Sequence, residues 1–144
     1  MTPEEQRQLV DDHYSLNAAG DFAAARELLT DDFFITIPPH MPFSGVYRGK
    51  DAFRDLAPSV VEAVAVADMK FVATTVGDGC AVEIVEFTLA GYDGPPVQVA
   101  ELIRFRDNKV CEIRPFYFDP APMLDAASRR NRPASGSIRS QGQR

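Results

Sequence analysis

The sequence predicts an α+β domain, with helices first and then a curved, mainly antiparallel sheet wrapped around a pocket. Three observations carry that prediction. Apolar residues recur at helical spacing between Leu9 and Leu29. From Met69 onward, one strand-like run follows another. Both faces of those runs are largely apolar, whereas a sheet with one wet face alternates more cleanly.

Thr2, Pro3 and Glu5 form a helix start. Thr2 caps, Pro3 suits the first helical position, and Glu5 completes a capping box. Leu9, Val10, His13, Leu16 and Asn17 continue that helix, and Gly20 ends it. Asp21 caps a second helix through FAAARELL. Asp31-Asp32 predicts a break, and Phe33 to Ile37 is aromatic and β-branched, hence a strand. Pro38-Pro39 stops it. The loop that follows holds His40, Met41, Phe43 and Tyr47, a candidate lid over a pocket mouth. Asp51 to Ala65 has helical composition, with Pro58 predicting a kink or break at Ala57. MKFVATTV and CAVEIVEFTLA are strands joined by the Gly77-Asp78-Gly79 turn. GYDGPP leads to VQVAELIRFR. The Asp107-Asn108 turn leads to KVCEIRPFYF, and Met123 to Arg130 is a short last helix.

At 144 residues the chain is one domain by length. No apolar run is long enough for a membrane-spanning helix. The N-terminal MTPEEQRQLVDDHY lacks the basic-then-apolar order of a signal peptide, so a cytoplasmic location is expected. Cys80 and Cys111 are read as small core residues. Residues 128–144 hold five arginines and no acids, and the chain as a whole is −6, so the body before them is −11. A body that acidic repels phosphate backbones, which argues against nucleic acid as a partner. The expected organisation is a domain over 1–127 and a basic, flexible tail over 128–144. Two histidines without matching acidic spacing, no glycine-rich phosphate loop and no nucleophile elbow lead to an expectation of no metal and no tightly bound cofactor.

The order of LLTDDFFITIPP, YRGKDAFRD and RDNKVCEIRPFYFDP resembles the NTF2-like, or SnoaL-like, superfamily over roughly residues 5–126. The resemblance implies a cone, with helices packed into a strongly bent sheet, a pocket at the wide end, and homodimers through the outer sheet face. Relatives include ketosteroid isomerases, polyketide cyclases and limonene-epoxide-hydrolase-like enzymes, so fold does not settle function. The isomerase branch carries an acidic base just before the proline that ends the first strand; here that place is Ile37 before Pro38. The epoxide-hydrolase positions fall on Ile84, Glu86 and Phe116, of which only Glu86 keeps a carboxylate.

The resemblance also implies that Phe116 and Phe118 line the pocket, which would bring Arg114 with them because it shares their face. On the same basis Glu86 and Glu101 point inward. A lone carboxylate in an apolar cavity must pair, take up a proton or keep water. The candidate chemistry is therefore Glu101 or Glu86 as acid or base, oriented by Arg114. Alternatively Arg114 closes an internal ion pair, or holds a substrate carboxylate. Tyr14 and His13, on the first helix, and Ile37 complete the candidate ligand-binding set. The expected function is a small-molecule pocket protein acting without cofactor on an apolar substrate. The alternative is a non-catalytic binding or dimeric assembly module.

Overall fold

The computed structural model describes residues 1–130 of the 144. Elements follow in the order α1 (Pro3–Ala18), α2 (Phe22–Arg26), β1 (Leu29–Ile37), β2 (Gly45–Arg48), α3 (Ala52–Val64), β3 (Val66–Gly77), β4 (Cys80–Leu89), β5 (Val97–Arg106), β6 (Lys109–Tyr117) and α4 (Ala121–Arg130). The six strands make one curled sheet in the order β2-β1-β6-β5-β4-β3. Only the β1–β6 pairing is parallel. Helices α1 and α3 lie across its concave side; α1 touches β3 and β4, and α3 touches β1, β2, β3 and α4. No helix among the described residues is long and apolar enough to cross a membrane.

Local chemistry explains most boundaries. Thr2 and Glu5 close the capping box at α1, with Pro3 in the first turn. Asp78 and Gly79 adopt positive φ, as do Asp107 and Asn108, giving the tight turns that match the twist of the β3–β4 and β5–β6 hairpins. Several boundaries differ from the sequence reading, among them the end of α2 at Arg26 rather than Leu29 and the start of β3 at Val66 rather than Met69. Strand β1 begins at Leu29 and carries Asp31 and Asp32 through an irregularity in its pairing with β6, so the acids sit exposed within a strand. The loop after Pro39 contains the short edge strand β2. Helix α3 runs unbroken through Pro58, because packing on β1, β2 and α4 outweighs one lost backbone bond. The last helix starts at Ala121 rather than Met123 and ends at Arg130 as expected, so it takes in Ser128 to Arg130; the rest of the expected tail lies outside the described residues.

Bulges give the sheet its curl. In β3 the pairing shifts at Ala67 and again at Val72. In the β5–β6 hairpin, Phe105 pairs with Val110 but Arg104 pairs with Glu112, which leaves Cys111 as an extra residue. A bulge bends its strand and increases local twist. It also reverses which alternate residues face inward beyond it. Cys111 is therefore a half-buried bulge residue rather than a core one, and Cys80 is half-buried too.

The core fills the concave side: Val10, Leu29, Phe33, Ile35, Val85, Val99, Ile103, Val110, Ile113 and Met123 are buried. Met41 and Phe43 belong to this core, and Tyr47 donates a 2.7 Å hydrogen bond to the Phe43 carbonyl. The expected lid is thus anchored packing, with His40 alone exposed.

Candidate functional site

Each strand contributes one alternate row to the concave face. From β4 it is Ala81, Glu83, Val85 and Phe87; from β5, Val97, Val99, Glu101 and Ile103; from β6, Ile113, Pro115 and Tyr117. Between these rows and the helices lies a cavity of about 100 Å³. Ile35 and Ile37 of β1, Phe53, Val60 and Val61 of α3, and Met69 of β3 wall it. Tyr14, Glu101 and Tyr117 supply its polar side chains, and the rest of the lining is apolar.

Tyr14 reaches down from α1 and donates a short hydrogen bond from its hydroxyl to Oε1 of Glu101. Its ring packs against Phe71 and edge-on to His13, which fixes its direction. The other Glu101 oxygen, Oε2, has no hydrogen-bond partner among the described residues. Burial raises the Glu101 carboxyl to about pH 7; the Tyr14 hydrogen bond pulls the other way, and the nearby Glu83 charge pushes it further up. Burial, then the Glu101 charge, hold the Tyr14 phenol well above its ordinary value, so it remains a donor at neutral pH. The same two causes raise the Tyr117 phenol. A carboxyl that gains and loses its proton near neutrality, aimed into an apolar cavity, can serve as a general acid or base. Tyr14→Phe is expected to move the Glu101 midpoint upward, because the bond it removes favours the ionised form. A titration followed by side-chain NMR reads this directly; a downward move would contradict the arrangement.

The predicted site residues divide. Glu101, Tyr14 and Ile37 meet at the cavity. His13 sits behind it, 1% exposed, edge-on to Tyr14 and Phe53, with Asn17 beside its Nδ1 at 3.3 Å. It supports Tyr14 rather than lining the cavity. Burial lowers its imidazole to about 4, so it is neutral in the fold. Stability tied to it is complete above pH 6.5 and drains as pH falls through 4. Against a His13→Met variant, the native chain is expected to lose stability over that window in chemical denaturation, and a constant difference would refute it.

Arg114, Phe116 and Phe118 lie on the convex face, not in the cavity: Phe116 is 54% exposed and Phe118 86%. The Cys111 bulge is the reason, since it turns the row beyond it over. Arg114 instead forms a convex-face ion group, with its Nη2 at 2.8 Å from Glu112 and Arg104 at 3.4 Å from the same carboxylate. Glu86 also faces outward, accepting a 2.9 Å hydrogen bond from Gln98. The inward carboxylate of β4 is Glu83, which the sequence reading passed over. A signal for it existed: Glu83 shares its row with Val85, Phe87 and Leu89, the more apolar of the two.

Comparison with known proteins agrees with this fold. The SnoaL-like domain family model matches residues 10–113, more than half of the chain, and the protein belongs to that family. An NTF2-like protein from Burkholderia xenovorans superposes with a TM-score of 0.69 at 20% identity, covering 92% of this chain and 99% of that one. Bal32a, from a soil-derived mobile gene cassette, gives 0.68 at 16% identity, over 90% and 98%. A candidate polyketide cyclase from Sinorhizobium meliloti gives 0.61 at 13% identity, over 81% and 100%. At these identities the likeness is one of fold. A search of curated proteins returns no match.

Proposed function

We propose that this chain is a small-molecule pocket protein in which Glu101, held by Tyr14, performs acid–base chemistry on a compact and largely apolar substrate. The observation that carries the reading is the Tyr14–Glu101 pair placed in an otherwise apolar cavity. Ionised, Glu101 removes a proton beside a carbonyl or activates a water; protonated, it donates to a leaving oxygen. The roles imagined for Glu86 and Arg114 pass to Tyr14 alone, because those residues face away. Among the described residues no Lys or Arg lines the cavity, so none of them offers a counter-charge to a substrate carboxylate or phosphate there. The size favours a small ligand: a dry cavity of roughly 150 Å³ takes benzene. No step of this chemistry calls for a cofactor.

A thermal-shift screen of small neutral ketones, enones, epoxides and lactones tests the reading. A ligand present at 100 times its Kd stabilises the native state by about 2.7 kcal/mol. Hits are expected with the native chain and are expected to weaken in a Val60→Trp variant that fills the cavity. A library without hits would favour an assembly module instead.

A second property is proposed from the convex face. Phe116 and Phe118, both exposed, project from it on one row, and exposed aromatic clusters mark contact surfaces. A homodimer through this face covers them, as the family resemblance implies. Sedimentation is expected to give roughly twice the 15.9 kDa chain mass, and a Phe116→Glu/Phe118→Glu double variant is expected to sediment as a monomer. A native chain sedimenting as a monomer would overturn it.

A further inference from the structure

The concave face holds a second buried carboxyl that the proposed chemistry leaves unused. Glu83 is 3% exposed and stands directly opposite Glu101 in the β4–β5 ladder. Directly opposed side chains on one face have Cβ atoms about 5 Å apart, and like charges there repel. Sequences normally avoid such a pair in a core. Here each member is separately held. Thr74 donates a 2.5 Å hydrogen bond from its hydroxyl to Glu83, and Tyr14 donates to Glu101.

The Thr74 contact depends on the Val72 bulge. Phe71 pairs with Val85, but Ala73 pairs with Ile84, so Thr74 rather than Ala73 falls opposite Glu83. Arg7, Asp11 and Tyr14 occupy one stripe of α1, at spacings of four and three, along the same row. Arg7 donates from Nη1 to the Thr74 carbonyl at 2.8 Å. Arg7 and Asp11 are exposed, whereas Tyr14 is buried. Polar groups thus run from solvent at the start of α1, past Glu83, to Glu101 at the cavity.

We propose that Glu83 and Glu101 act as one carboxyl pair that shares a single proton at neutral pH, with Glu101 facing the ligand and Glu83 facing the solvent end of α1. Two carboxyls this close do not both ionise readily, so the proton taken by one is withheld from the other. Burial raises the Glu83 carboxyl as well, and Thr74, Asp11 and Arg7 modify it in that order. The groups facing the pair are Arg7, Asp11 and Tyr14 from α1, Thr74 from β3 and Tyr117 from β6. Glu83 is a positioning residue here: it never meets the ligand, but its charge sets when Glu101 can accept a proton. A pair holding one negative charge also disfavours anionic ligands at the cavity floor. This deepens the acid–base reading of the pocket, though the pairing itself holds whether or not any ligand is turned over.

The test is a pH titration of the glutamate side-chain carboxyls by carbon-13 NMR, on the full ligand-free chain. In the native protein, Glu83 and Glu101 are expected to titrate in two linked steps. In Glu83→Gln, the Glu101 midpoint is expected to fall by about one pH unit or more, the mark of a coupled pair. Glu101→Gln is expected to leave Glu83 titrating in a single step, with the second step gone. Should Glu83→Gln fold poorly, Thr74→Val serves: losing its donor makes Glu83 keep the proton, and Glu101 then titrates lower. An unchanged Glu101 midpoint in either folded variant overturns the pairing. Failure of the ligand screen would leave these titrations untouched, so the two proposals fail separately.

Discussion

Glu101→Gln is expected to lower turnover of a true substrate by about 10²–10⁴-fold, the usual contribution of a positioned acid or base. Gln keeps the shape and still accepts from Tyr14, so the cavity survives while the exchangeable proton is gone. The effect should fall on kcat more than on KM, since the apolar walls supply most of the binding. The same variant has an opposite signature in stability. The native carboxyl is raised from 4.5 to about 7 by burial. Its favourable protonation is complete below 4.5 and is lost as pH rises through 7. Glu101→Gln has no charge to desolvate. Relative to the native chain, it should therefore gain stability between pH 4.5 and 7 and hold the gain above, by an amount on the order of 3 kcal/mol at most. A variant that loses turnover and gains stability is the pattern of a strained functional residue. Equal losses in both would mark Glu101 as structural.

Phe33→Ala is expected to cost about 3–5 kcal/mol. Phe33 is 0% exposed, the largest of the fully buried side chains. It lies on β1 within the concave core, outside the lining of the cavity. Truncation removes its transfer free energy and leaves a void that β1, paired on both edges, cannot collapse to fill. Urea denaturation should show a lower midpoint with little change in slope. The Glu101 midpoint should stay in place, because no wall of the cavity is touched. A loss below about 1 kcal/mol would mean that the core beneath β1 is loosely packed.

The fold was legible in the sequence because its signals are local. The capping box at Thr2, the turns at Asp78-Gly79 and Asp107-Asn108, and the aromatic and β-branched runs each declare themselves within a few residues. The order of those elements then leaves few architectures. The site was less legible because it depends on parity. In β6 composition favours Ile113-Pro115-Tyr117 over Glu112-Arg114-Phe116 as the inward row, but the family resemblance placed Phe116 and Phe118 inward and carried Arg114 with them. A two-residue turn counted without interruption puts Arg114 opposite Glu101 on one face. The unpaired Cys111 breaks that count, and Arg114 pairs with Leu102 instead. One extra residue therefore moved Arg114, Phe116 and Phe118 from the cavity to the convex side. Glu101 escaped this error because β5 lies before the bulge and its flanks Val99 and Ile103 are unambiguous. The Glu83–Thr74 contact was missed for the same kind of reason, since the Val72 bulge that joins them leaves no mark in composition, although the apolar row of Glu83 itself was readable.

The central physical claim is that a buried carboxyl at the cavity floor exchanges its proton near neutral pH. The most direct check is the titration midpoint of the Glu101 side chain in the native chain, assigned by its absence in Glu101→Gln. A midpoint near 7 is the expected result. A midpoint near 4.5, the value of a glutamate in water, would show a solvated carboxylate and contradict the acid–base role of this pocket.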